Sequence, residues 1–306
     1  MKILSRPKGN AEEYGRWSVN PYKGCSHGCE YCYLKEGVWA KGLGGNTPVL
    51  KKHIVNAEHA YHVAMAEIIE NREQIIKDGG LFFTFTSDPC IPETCELTFK
   101  IASDAMAWEI PVTLLTKDAN FCGKDKPIVQ SIDTVLQVNK WLTNIVMDFE
   151  NTHKERLAIG FTLTGHDELE SNASPNEERV KAIEYLNNEG WKTWASIEPV
   201  IDFKSSYDMI LAACDAGCRH FKIGLMTKKT KVCRKMYDHD ACIEFIHDVM
   251  RVMEAGGGTA TVYWKQSFRD FLGEEDFART TVGYKNIVGK DWSMFNMKSE
   301  EFATAL

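Results

Sequence analysis

The chain has 306 residues, 44% of them hydrophobic and 26% charged, and carries a net charge of −7. That composition suits a globular enzyme with a full core, and the acidic balance excludes a protein that grips nucleic acid by charge over its whole surface. No apolar run reaches membrane-spanning length and MKILSRPKGN has no apolar signal core, so a cytoplasmic protein is expected, with its ten cysteines serving as ligands, reactive groups or small core residues rather than as disulfides.

A short strand is expected over residues 17–20. The loop 21–34 follows, within NPYKGCSHGCEYCYL, and holds Cys25, Cys29 and Cys32 as C-x3-C-x2-C. Residues 56–76 place Tyr61, Met65, Ile68, Ile69 and Ile75 at helical spacing. LFFTFT (81–86) reads as a buried strand closed by the turn Ser87-Asp88-Pro89, and PVTLLT (111–116) repeats the pattern. An apolar stripe from Ile132 to Val146 marks another helix, and a strand follows at 157–163. Ser174 is the expected N-cap of the next helix, with Pro175 first, Glu177 completing a capping box and Gly190 as the stop. Strands are then expected at 191–197, 220–225 and 259–264.

Strands alternating with helices predict an α/β fold: a parallel sheet with right-handed crossovers, curled into a partial or full βα barrel. Residues 1–306 form one domain, and 273–306 are an extension whose packing the sequence leaves open. In such a fold the functional groups gather at the C-terminal ends of the strands.

Three thiolates suit an iron–sulfur cubane that leaves its fourth iron open to a ligand. A zinc site would need a fourth ligand. His27 lies in the same loop, but no second C-x2-C follows. Gly24 and Gly28 let the backbone wrap closely around a bound group.

These residues resemble the signature of the radical S-adenosylmethionine enzymes, in which an aromatic residue, here Tyr31, precedes the third cysteine. The wider NPYKGCSHGCEYCY is similar to the spore photoproduct lyase-like (DNA repair photolyase-like) subgroup. The resemblance implies a partial (βα)6-type TIM barrel with a [4Fe-4S] cluster on Cys25, Cys29 and Cys32. It implies S-adenosylmethionine chelated to the open iron, an external electron donor, and a 5'-deoxyadenosyl radical that takes a hydrogen atom from substrate. By position it assigns Ser87 and Asp88 to the methionine amino or carboxylate group, Lys117 to the carboxylate and Tyr31 to the cofactor side of the loop.

Other strand ends extend the set. Thr162 and Thr164, taken as a pair on one face, are candidates for the ribose hydroxyls, and Ser196 and Glu198 share a face on the next strand. Gly224 is a candidate for adenine clearance, and Lys265 and Gln266 for substrate contact. Cys90 follows the Ser-Asp-Pro turn and is a candidate to return a hydrogen atom to a product radical; relatives carry an aromatic residue there. The basic run Lys228, Lys229, Lys231, Arg234 and Lys235 either meets phosphates or is a solvated loop. Kinship with the photoproduct-lyase subgroup implies a nucleic-acid base or lesion as substrate. Two alternatives stand beside it: a radical enzyme acting on a peptide or small metabolite, and a non-enzymatic zinc- or cluster-stabilised protein that binds nucleic acid.

Overall fold

A computed structural model describes residues 2–35, 37–122, 153–226, 237–255, 259–284, 287 and 294–295. The expected helix at 132–146, the basic run 228–235 and most of the tail lie outside the described residues. The seven strands expected from sequence form one parallel run: β2 (Ser18–Val19), β5 (Leu81–Phe83), β6 (Val112–Thr116), β7 (Leu157–Thr162), β8 (Lys192–Val200), β9 (His220–Leu225) and β10 (Thr261–Trp264). They lie side by side in chain order, and β1 (Leu4–Ser5) adds an antiparallel edge beside β2. A separate antiparallel pair, β3 (Tyr22–Lys23) with β4 (Val49–Leu50), closes the base of the cysteine excursion. Short α1 (Gly37–Leu43) lies within that excursion.

Alternation along the strands divides the core in two. Phe82, Ala158, Trp194 and Tyr263 turn to the concave side, where Tyr14, Phe85 and Leu115 join them. Met294 and Phe295 pack there too, so part of the C-terminal extension contributes to this inner core. Leu81, Phe83, Leu157, Ile159, Ala195, Val262 and Trp264 belong to the larger core. The helices α2 (Ala57–Glu70), α4 (Cys95–Ala107), α5 (Asn176–Asn188), α6 (Phe203–Asp215) and α7 (His239–Ala255) supply many of its other residues. Among the described residues, no helix is long and apolar enough to cross a membrane.

Two expectations change. The helix at 56–76 is broken at Asn71 into α2 and α3 (Arg72–Lys77), and Ile69 from its apolar stripe is exposed. Asn71, whose φ of −109° and ψ of 11° leave the helical region, donates its side-chain amide to the Glu67 carbonyl. Ser174 does not cap its own helix; its hydroxyl instead accepts from the backbone N–H of Ala119 at 2.9 Å. The first N–H of α5 goes to Asp167, 2.8 Å from the backbone nitrogen of Asn176, and Glu177 pairs on the surface with Lys181. The hydroxyl that looked local in sequence ties two strand-end loops together.

Gly160 faces Trp194 across the β7–β8 pair, and the indole is fully buried. A Cβ at Gly160 would lie 2.1 Å from the indole ring. Gly160→Ala should therefore lower stability by about 1–3 kcal/mol through overpacking. Thermal unfolding of the metal-free protein checks this; an unchanged midpoint would mean that the ring can move aside.

Candidate cofactor site at the strand ends

The cysteine loop leaves the β3–β4 pair and lies over the C-terminal ends of β5, β6 and β7. Cys25, Cys29 and Cys32 line one concavity with His27, Gly28 and Lys35. Each is a free thiol, and Cys29 is buried. Burial raises the Cys25 thiol to about 12 and also raises Cys29, so these groups hold their protons until a cation displaces them.

His27 is not a spare ligand. Its Nε2 lies 2.8 Å from Asp88 Oδ2, and its Nδ1 lies 3.4 Å from the Asn172 carbonyl oxygen. Asp88 accepts from four directions: His27, the Thr116 hydroxyl at 2.7 Å, and the backbone N–H groups of Cys90 and Lys117 at 2.9 Å each. Burial would raise this carboxyl, but the His27 ring and the donors around it outweigh burial and hold it below the usual range. A carboxylate offers about four acceptor positions, so Asp88 is committed to joining the cysteine loop to β6.

Ser87 differs. Its hydroxyl is buried and has no hydrogen-bond partner among the described residues. Lys117 is half-buried, with its ammonium 5.5 Å from the Tyr31 ring centre and no ion pair within 4 Å among the described residues. Burial works against its charge, but Cys29 and Glu170 outweigh burial and raise its pKa. A positive group thus stands within electrostatic reach of Cys29, and an orphaned hydroxyl lies one residue before Asp88. Tyr31 donates its hydroxyl to Glu170, which is paired with Arg179 at 2.5 Å in full burial.

Thr162 and Thr164 are both buried and engage different partners. Thr162 ends β7, and its carbonyl accepts from Arg179 at 2.7 Å. Thr164 lies beyond the strand, where its hydroxyl accepts from the His166 N–H and its own N–H goes to Asn176. Ser196 and Glu198 do share the inner face: both meet the hydroxyl of Tyr14. Cys90 packs in the larger core at 2% exposure, where burial keeps its thiol protonated.

The inner face holds a buried charge network that sequence reasoning missed. Lys265 donates to both oxygens of Glu198 at 2.7 and 2.8 Å, lies 3.3 Å from Glu13 and sits 4.5 Å from the Tyr14 ring centre. Lys222 is fully buried, donates to the Glu13 carbonyl and faces the rings of Tyr14 and Tyr263 at 4.4 and 4.9 Å. Burial, followed by Lys265, pushes its pKa well down. The space expected for adenine beside Gly224 is taken by this network: a Cβ there would meet Lys265 at 2.8 Å and Glu198 at 3.0 Å. A lysine in the middle of the apolar strand HFKIGL was the one local signal of this arrangement.

At the rim, His166 bridges Glu168 and Asp202 at 2.7 and 2.6 Å, and Asp202 caps α6. Burial lowers the His166 pKa, but the hydrogen bonds to the two carboxylates prevail and raise it. Its stabilising contribution is therefore complete below the unfolded histidine value of about 6.5 and is lost as pH rises through the raised folded value. Solvent screening limits it to about 1 kcal/mol. The stability gap between the parent and His166→Gln, from urea unfolding, should narrow on the alkaline side; a gap independent of pH would refute the bridge.

No family model matches the sequence, and no curated protein matches it. Among solved structures, SuiB from Streptococcus suis is 12% identical, with 81% of this chain and 48% of that chain covered at a TM-score of 0.48. SuiB bound to S-adenosylmethionine is also 12% identical, with 88% and 55% covered at a TM-score of 0.52. The chain spans about half the length of these structures. At that identity the likeness concerns architecture: the mostly parallel sheet and its surrounding helices are the fold that this chain shares with S-adenosylmethionine-bound SuiB.

Proposed function

We propose that the chain is a radical S-adenosylmethionine enzyme. The observation that carries this reading is the donor set: three thiols line one concavity, and the Lys117 ammonium, which has no ion pair within 4 Å among the described residues, acts electrostatically on Cys29. Both ring nitrogens of His27 are engaged, which removes the obvious fourth zinc ligand.

The bound cluster and S-adenosylmethionine supply one-electron cleavage of the sulfonium and hydrogen abstraction from substrate. Lys117 would hold the cofactor carboxylate in a charge-assisted contact, with Ser87 as a neighbouring polar group. Tyr31, held by Glu170, would border the cofactor, and Thr162 at the end of β7 would be a candidate for the ribose hydroxyls. Ser196 is pre-set by Tyr14, and Glu198 by Tyr14 and Lys265. Asp88 and Thr164 act by holding loops, and Cys90 takes no part. The resemblance of NPYKGCSHGCEYCY to the photoproduct-lyase subgroup supports a nucleic-acid base as the hydrogen donor, and the reaction calls for an external electron donor.

Anaerobic reconstitution should give brown protein with about four iron atoms per chain. With reductant and S-adenosylmethionine it should release 5'-deoxyadenosine. Colourless protein holding one zinc would overturn the assignment. Deuterium transfer into 5'-deoxyadenosine from labelled oligonucleotide, set against labelled peptide, decides the substrate class.

A further inference from the structure

The cysteine loop makes only local backbone bonds of its own, such as the Cys32 N–H to the Cys29 carbonyl at 3.4 Å. Its shape is imposed from outside. On one side, the Cys25 N–H reaches the Gly45 carbonyl at 3.0 Å. On the other, four consecutive residues after β7 each touch it. Leu169 accepts from the Glu30 N–H at 2.9 Å. Glu170 accepts from the Tyr31 hydroxyl. Ser171 packs so closely on Gly28, whose φ is +77°, that a Cβ there would lie 2.5 Å from the serine oxygen. Asn172 donates its N–H to the His27 carbonyl at 2.9 Å and its side-chain amide to the Ser26 carbonyl at 3.0 Å.

Segment 169–172 joins a short 3-10 turn to α5 and is not itself part of a helix or strand beyond Leu169. What fixes it is Arg179, fully buried in the first turns of α5. The guanidinium donates to the Ser174 carbonyl at 2.7 Å, to the Thr162 carbonyl at 2.7 Å and to Glu170 at 2.5 Å. One side chain thus ties the end of β7, the start of α5 and the segment between them into a unit. A planar guanidinium presents these three donors in a rigid fork that spans more distance than the compact ammonium of a lysine.

We propose that residues 169–172 are a clamp on the cysteine loop, and that Arg179 is the positioning residue that sets the clamp through Glu170. The consequence for the cluster rests on the radical-enzyme reading; the clamp itself does not. An open loop would present its thiols to solvent more often and would hold a cluster less long.

Two variants test this. Arg179→Lys keeps the charge but loses the three-way geometry, and Asn172→Ala removes one exposed clamp contact while leaving the core intact. In metal-free protein, alkylation by iodoacetamide is followed at each cysteine by mass spectrometry. Cys29 should react roughly tenfold faster in both variants, while Cys218 and Cys242, buried elsewhere, keep their parental rates. In reconstituted protein, chelator-driven iron loss should accelerate by a similar factor. Parental Cys29 rates in both variants would overturn the clamp, as would equal acceleration at Cys218 and Cys242, which indicates plain destabilisation. If the parent takes up no iron, the radical-enzyme reading falls, and the alkylation contrast still decides the clamp.

Discussion

Cys29→Ala should fold like the parent yet retain no cluster and release no 5'-deoxyadenosine. The sulfur is small and lies at 7% exposure, so the metal-free protein should lose little more than about 1 kcal/mol, far less than a large core truncation. The functional loss should be far greater. Changes in groups that merely orient ligands cost about 10–100-fold in metal affinity, and removing a ligand outright should exceed that. Asp88→Asn is the graded comparison. Its carboxylate joins His27 in the cysteine loop to Thr116 and Lys117 on β6, so the amide should shorten iron retention roughly tenfold. If Asp88→Asn changed only the affinity for S-adenosylmethionine, the direct ammonium contact expected from its position would be restored. Cys29→Ala with parental iron content would remove the basis of the functional proposal.

Lys265→Met should be the most destabilising single change in the inner barrel. Lys265 is 2% exposed and neutralises Glu198 and Glu13, whose side chains are 23% and 12% exposed. Removing one partner of a buried ion pair strands the other charge and costs about 3–5 kcal/mol. For a chain of this size each kcal/mol moves the melting midpoint by about 2–4 °C, so a drop of roughly 10 °C is expected. Pairing Lys265→Met with Glu198→Gln should cost less than the two changes summed, because the double variant strands only Glu13 rather than both carboxylates. A midpoint within about 2 °C of the parent would show that water reaches Glu198 and screens it. The same network decides what Glu198 can offer a ligand: Lys265 and Tyr14 occupy most of its acceptor positions, so it is a fixed wall group rather than a free base.

The strand pattern was legible because it is local. Runs such as LFFTFT and AIGFTLT alternate sides with period two, and all seven expected parallel strands are present. The facing of Ser196 and Glu198 followed from the same rule. The rule stopped short of Thr164, which lies beyond the end of β7 and gives its N–H to the Asn176 side chain. It failed also at Ser174, whose capping-box spacing was correct but whose hydroxyl had a better partner on another loop. Local motifs state which bonds are available; neighbouring loops compete for them.

By itself the sequence determined the alternating strands and helices, the three-thiol loop and its place after the first barrel strand. Each depends on residues within a few positions of one another. Only the tertiary structure decided that His27 is spent on Asp88, that the Ser87 hydroxyl has no hydrogen-bond partner and Lys117 no ion pair within 4 Å among the described residues, and that Arg179 reaches the cysteine loop through Glu170. It alone brought Tyr14 to Glu198, 184 residues away, and Glu13 to Lys222, 209 residues away. Those meetings depend on strand order and on the curl of the sheet, which gather distant strand ends over one small area. A buried charge keeps its place only where such partners converge, so the network becomes visible only once the sheet is assembled.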